Sequence, residues 1–279
     1  MKILITGSNG MLGHDLEEVL KINHELILTT SKTLDITDKK YVMDFICEKK
    51  PDIVINSAAY TDVDACEENH DIAYSVNGQG VRNLALACNE LNCPLVHIST
   101  DYVFDGKNNH PWVEDDEIGP INVYGKSKLE GEEAILEILD KYFIVRTAWL
   151  YGVNGKNFPK TMLGLAQDHS EITVVYDEVG SPTYTPDLAY GISQLIETDY
   201  YGIYHLTNSG SCSWCEFARY IFEVADVNVN VIPVTASKFS RPALRPSYSV
   251  LENKNWIKNG FKPLRSYKDA LKEYIELIK

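Results

Sequence analysis

The chain has 279 residues, 44% of them hydrophobic, and a formal net charge of −14. That is enough apolar material for one large domain or two modest ones, and the acid excess excludes the basic face that a general nucleic-acid or anionic-membrane surface needs. No apolar run approaches the roughly 18–20 residues of a membrane span, and Met1–Gly7 is too short for a signal-peptide core, so a cytoplasmic protein is expected.

In chain order, Lys2–Thr6 reads as an apolar strand ending at Gly7. Residues 11–20 follow as a helix with Met11, Leu12, Leu16, Val19 and Leu20 on one face. Strands are predicted over 25–30, 52–56, 94–100 and 142–147, and helices over 41–49, 81–91 and 124–139. Uninterrupted apolar strands alternating with helices predict an α/β chain with a doubly wound parallel sheet covered on both faces. After Trp149, seven prolines break the pattern into short elements. Thr185-Pro186 reads as an N-cap followed by a first-turn proline, 202–206 as a strand, and 266–278 as an amphipathic helix. The expected organisation is a nucleotide-binding domain over 1–150, with later sheet elements from about 172–207, interleaved with a smaller substrate-binding lobe over 151–279.

Gly7-Ser-Asn-Gly10-Met-Leu-Gly13 lies between the first strand and the first helix. Gly7 suits a tight turn, Gly10 lets backbone approach a pyrophosphate, and Gly13 lets helix pack on strand. The second strand ends Thr29-Thr30-Ser31-Lys32, without the carboxylate that would meet the 2′-hydroxyl of NAD, and Lys32 suits a 2′-phosphate. NADPH is therefore favoured over NADH. Asp35-Ile36 suits the adenine edge, with Asp35 equally readable as a turn residue, and the small residues of Asn56-Ser-Ala-Ala-Tyr60 leave room for a cofactor across the sheet edge. Thr100 ends a strand with a hydroxyl, and Tyr124-Gly-Lys-Ser-Lys128 puts a phenol and an ammonium on one helical face. A phenol beside a cation is expected to titrate below its usual value of about 10, which suits proton donation to an alkoxide. The six cysteines form no secreted-type framework. Cys212-Ser-Trp-Cys215 has redox spacing, but no further ligands complete a metal set, and Ser213 with Glu216 reads as a capping box.

Glycine loop, strand-end hydroxyl and Tyr-x-x-x-Lys, in that order, resemble the short-chain dehydrogenase/reductase superfamily in its extended, nucleotide-sugar branch. Ala58–Asp64, Ser99–Gly106, Tyr124–Lys128, Arg146–Gly152, Gly180–Thr183 and Arg241–Pro246 together resemble the dTDP-4-dehydrorhamnose reductases over essentially the whole chain. The resemblance implies NAD(P)H-dependent reduction of the 4-keto group of dTDP-4-dehydro-L-rhamnose to dTDP-L-rhamnose, for polysaccharide biosynthesis. It implies Tyr124 as acid/base, Lys128 as ribose ligand and modulator of Tyr124, and Thr100 as the group orienting the carbonyl. Gly7, Gly10, Met11, Leu12, Gly13, Asp35, Ile36, Ala58, Ala59, Tyr60 and Tyr102 would line the cofactor. Asp101, Trp149, Arg241 and Arg245 would meet the dTDP-sugar. Some members form homodimers with Mg²⁺ at the interface, near where Asp15, Asp187 and Glu273 fall, although lone helical carboxylates are usually solvated. Another nucleotide-sugar 4-reductase, an epimerase, a dehydratase, or a non-catalytic subunit resembling the regulatory subunit of methionine adenosyltransferase would share much of this pattern. The tyrosine after Asp101, where dehydratases carry glutamate, speaks against elimination of water.

Overall fold

A computed structural model describes all residues, Met1–Lys279. Strand β1 (Lys2–Thr6) leads through a glycine turn into α1 (Met11–Leu20), then β2 (Glu25–Leu28), α2 (Lys39–Lys49) and β3 (Ile53–Asn56). Two short helices, α3 (Val63–Glu68) and α4 (His70–Tyr74), run through a π-helical turn at Ser75–Gln79 into α5 (Gly80–Leu91). Then come β4 (Leu95–Thr100), α6 (Val123–Ile138), β5 (Tyr142–Thr147) and β6 (Leu150–Tyr151). The remainder comprises α7 (Phe158–Asp168), β7 (Glu171–Val175), β8 (Val179–Gly180), β9 (Thr183–Tyr184), α8 (Thr185–Leu195) and β10 (Gly202–His205). It ends with β11 (Cys212–Ser213), α9 (Trp214–Ala225), β12 (Asn230–Val234), α10 (Lys254–Lys258) and α11 (Tyr267–Ile278).

Six strands form one parallel sheet in the order β10-β5-β4-β3-β1-β2. Alternate residues of each strand feed opposite cores. Ile3, Ile5, Ile53, Ile55, Val96 and Phe143 pack with α1 and α8. Leu4, Val54, Leu95 and Ile144 pack with α2, α5 and α6. Both faces are buried, which is why the strands carry apolar residues without a break. Chain order reverses direction between β1 and β3, so their carboxyl ends open a crevice at the switch point.

A second core lies outside the sheet, where Tyr151, Phe217, Ile221 and Tyr274 join α7, α9 and α11 over the parallel pair β7–β12. Of the elements expected to rejoin the large sheet from 172–207, α8 and β10 do so, whereas β7 pairs with β12. Its burial alternates, with one face toward α9, so it serves a one-sided sheet. Thr185 is also not an N-cap. Tyr184 occupies that position and Thr185 is the first helical residue, its hydroxyl donating to Tyr151 O at 3.3 Å. The capping box at Ser213 and Glu216 forms as read. Cys212 and Cys215 are free thiols, and burial pushes Cys212 up to about 12 and raises Cys215. No helix is long and apolar enough to cross a membrane.

Candidate active site

The glycine loop does what its spacing requires. Gly7 has φ +65°, and a Cβ there would meet Ala58 N at 2.7 Å. A Cβ on Gly13 would lie 2.4 Å from Gly7 O, so the helix can close on the loop only with glycine. Gly10 is the N-cap of α1 and supplies no side-chain cap, leaving the first-turn N–H groups for an anion.

Two cavities share Gly10, Ser57 and Ala59 and so form one groove along the carboxyl edge of the sheet. The smaller, of about 300 Å³, is lined by Gly7, Leu34, Asp35, Ile36, Ala58 and Tyr60. The larger, of about 470 Å³, takes in Met11, Leu12, Gly13, Thr100, Asp101, Tyr102, Tyr124, Lys128, Trp149 and Trp214. A groove that starts at a glycine cradle and ends at a phenol and an amine fits a nicotinamide dinucleotide. Asp35 closes an Asx turn, its carboxylate accepting from Thr37 N and Oγ1. Lys32 is exposed and stands outside the lining, where Ser31 is found instead.

Helix α6 begins on Asn122, whose side chain accepts from Gly125 N at 2.8 Å and donates to Leu244 O at 2.7 Å. This sets Tyr124 in the first turn and Lys128 one turn later. Lys128 is 1% exposed. Its Nζ donates to Ile98 O at 2.6 Å and lies 3.3 Å from His97 Nε2. Burial lowers it to about 8, against the opposing pull of Glu132. The expectation of a depressed Tyr124 is not met. Burial raises the phenol, although the Thr100 hydroxyl opposes the rise. Lys128 is engaged with Ile98 and His97 rather than with the phenol, so desolvation dominates. Thr100 donates to Asp101 Oδ1 at 3.0 Å. Asp101 Oδ2 is buried without a partner, and burial pushes that carboxyl up to about 6. Tyr102 packs edge-on against Tyr124, with ring centroids 5.7 Å apart.

Trp149 adopts φ +48° and stacks on Trp214 at 3.4 Å. Gly180 is the reason it fits, because a Cβ there would meet Trp149 Cε2 at 2.4 Å. Arg241 and Arg245 line a neighbouring cavity of about 650 Å³ that shares Tyr102 and Trp214 with the one holding Tyr124 and Lys128. Arg245 already forks onto Asp64, at 2.8 and 2.7 Å. Arg241 has only a looser pair with Glu178, at 3.7 Å. Asp187 and Glu273 are both held by Arg265, and no group of three His, Cys, Asp or Glu side chains is placed to hold a metal ion.

Several contributors carry no sequence signal of their own. Trp214 follows an ordinary capping residue. Asn77, in the π-helical turn, ties Tyr60 N and O to Ser127 Oγ and so joins the end of β3 to α6. His97 sits inside an apolar strand.

The family model described as RmlD substrate binding domain matches residues 1–279. A dTDP-4-dehydrorhamnose reductase from Clostridium acetobutylicum is 49% identical, superposes with a TM-score of 0.98, and is covered over 100% of this chain and 99% of its own. The Bacillus anthracis dTDP-4-dehydrorhamnose reductase, solved in complex with NADP, is 44% identical with a TM-score of 0.97 over 99% of each chain. The spore coat polysaccharide biosynthesis protein SpsK of Bacillus subtilis is 44% identical over 99% of this chain and 97% of its own length. By sequence, fold and full-length coverage, the chain belongs to the RmlD substrate binding domain family, together with the dTDP-4-dehydrorhamnose reductases.

Proposed function

We propose that this chain reduces the 4-keto group of dTDP-4-dehydro-L-rhamnose to dTDP-L-rhamnose, with NADPH preferred. The observation that carries the reading is the meeting of Thr100, Tyr124 and Lys128 in one cavity continuous with the glycine cradle. Gly7, Gly10 and Gly13 with the first turn of α1 would hold the pyrophosphate. Asp35, Ile36, Ala58, Ala59 and Tyr60 would border the adenosine half, and Lys128 the nicotinamide ribose. When bound, the cofactor supplies the hydride.

Tyr124 acts as the proton donor to the carbonyl oxygen. A phenol raised by burial is fully protonated at neutral pH, the form that reduction needs. The Thr100 hydroxyl turns from Asp101 Oδ1 to give that oxygen a second hydrogen bond where negative charge develops. Asp101 and Trp149 flank the sugar, and Arg241 is freer than Arg245 to meet a diphosphate, because Arg245 is forked onto Asp64.

The test is oxidation of NADPH and of NADH by purified protein with dTDP-4-dehydro-L-rhamnose, followed by identification of the sugar. Stoichiometric NADPH oxidation yielding dTDP-L-rhamnose is expected, with Lys32→Ala narrowing the preference over NADH. Folded protein that oxidises neither cofactor overturns the reading. Activity with an unchanged preference in Lys32→Ala removes only the assignment of Lys32.

A further inference from the structure

Thr6, Asn56 and His97 are register partners on β1, β3 and β4. Their side chains form a buried polar row at the top of an otherwise apolar face. Asn56 Oδ1 accepts from Thr6 Oγ1 at 2.6 Å and from the backbone N–H of Ala58 at 3.2 Å. A backbone N–H can only donate, so the Asn56 atom facing it is the oxygen. The amide nitrogen therefore faces His97 Nδ1, 3.0 Å away, and donates to it. With Nδ1 accepting, a neutral imidazole carries its proton on Nε2. That N–H faces Lys128 Nζ at 3.3 Å.

We propose that His97 is a positioning residue for Lys128: Asn56 locks the ring as its Nε2–H tautomer, and that N–H donates to Lys128 Nζ, which favours the uncharged amine over the ammonium. An amine accepts from His97, donates to Ile98 O, and keeps a further N–H for the cavity. An ammonium would set donor against donor. A charged imidazole would do the same against Asn56, and burial together with Lys128 holds His97 well below its usual range.

The charged and titratable neighbours are few. From α6, Glu132 opposes the effect by favouring the ammonium. From β5, Arg146 offsets Glu132 through a bidentate pair, and Ser99 on β4 donates to the same carboxylate. Tyr124 on α6 and Asp101 after β4 share the cavity with Lys128. The side chains that β1 and β3 add to the row, Thr6 and Asn56, are uncharged. Within the proposed reductase, His97 thereby sets the pH above which Lys128 meets the nicotinamide ribose as a neutral amine.

The test is ¹⁵N NMR of the full chain labelled at histidine rings and lysine side chains, in wild type, His97→Gln and Asn56→Asp. In wild type, His97 should show a protonated Nε2 and a bare Nδ1. In His97→Gln, whose carboxamide oxygen can accept from an ammonium, the Lys128 midpoint should rise by about one pH unit. The alkaline limb of kcat/KM should move with it. A merely structural role would lower activity at every pH without moving the limb. Asn56→Asp should transfer the ring proton to Nδ1 and also raise the Lys128 midpoint. A wild-type ring protonated on Nδ1, or an unmoved Lys128 midpoint in folded His97→Gln, overturns the proposal. The wild-type tautomer needs no substitution, so a misfolded variant does not shield it. Both spectroscopic readouts stand even if another sugar proves to be the substrate.

Discussion

Two buried cations stand in adjacent parts of the same wall, and the protein treats them differently. Arg146, fully buried on β5, forks onto Glu132 with three contacts of 2.7–3.2 Å, and its guanidinium lies 5.3 Å from the Phe104 ring centre. Lys128, one turn before Glu132 on α6, has a carbonyl and an imidazole for company. The first is a charge neutralised and fully bonded, which is how a charge is tolerated in a core. The second has no carboxylate partner and stands at the edge of a cavity, where burial lowers it to about 8. The contrast accords with the role proposed for Lys128, since perturbed groups in clefts are candidates for function.

The comparison breaks most sharply at Arg146. Arg146→Met should cost about 3–5 kcal/mol in urea unfolding, because it leaves the Glu132 carboxylate buried and unpaired. Adding Glu132→Leu should restore most of it. A loss below about 1 kcal/mol would show that the pair does not hold the wall together. Tyr124→Phe should lower kcat by about 10²-fold or more, with stability changed by no more than about 1 kcal/mol. Undiminished turnover would remove Tyr124 from the chemistry. Lys128→Met sharpens the contrast through pH. The folded-state value of about 8 lies below the ordinary 10.5, so the folded protein sheds this proton first. The buried charge therefore costs stability below pH 8, and that cost is relieved as pH rises from 8 to 10.5. Wild type should gain up to about 3 kcal/mol relative to Lys128→Met across that window. Parallel stability curves would mean that Lys128 is not strained.

What the sequence made legible follows from repetition. Ile3–Ile5, Ile53–Ile55 and Leu95–Val96 are apolar on both faces, and only a covered parallel sheet explains that. Gly7 and Gly13 announce the turn because a Cβ at either would clash with backbone. Tyr124 and Lys128 were legible because a helix fixes their spacing. The helices between Val63 and Gln79 were not, since α3 and α4 are short and each buries a single small residue, Cys66 or Ala73, while Asn77 ties the segment to Tyr60 and Ser127. Asp64 and Arg245 meet across 181 positions, and nothing local in either stretch signals the pairing. His97 was hidden in plain view. A lone histidine in an apolar strand reads as core until the atoms on both of its nitrogens are known.

Asn122 carries a consequence for how the chain can be taken apart. The residue that starts α6 is itself held by the carbonyl of Leu244, from the segment between Arg241 and Arg245. The position of Tyr124 is thus calibrated by sequence that arrives some 120 residues later. A transplant of the glycine-loop half onto a foreign partner would bring Thr100, Tyr124 and Lys128 yet leave Asn122 without its Leu244 carbonyl, unless that strip of backbone came with it.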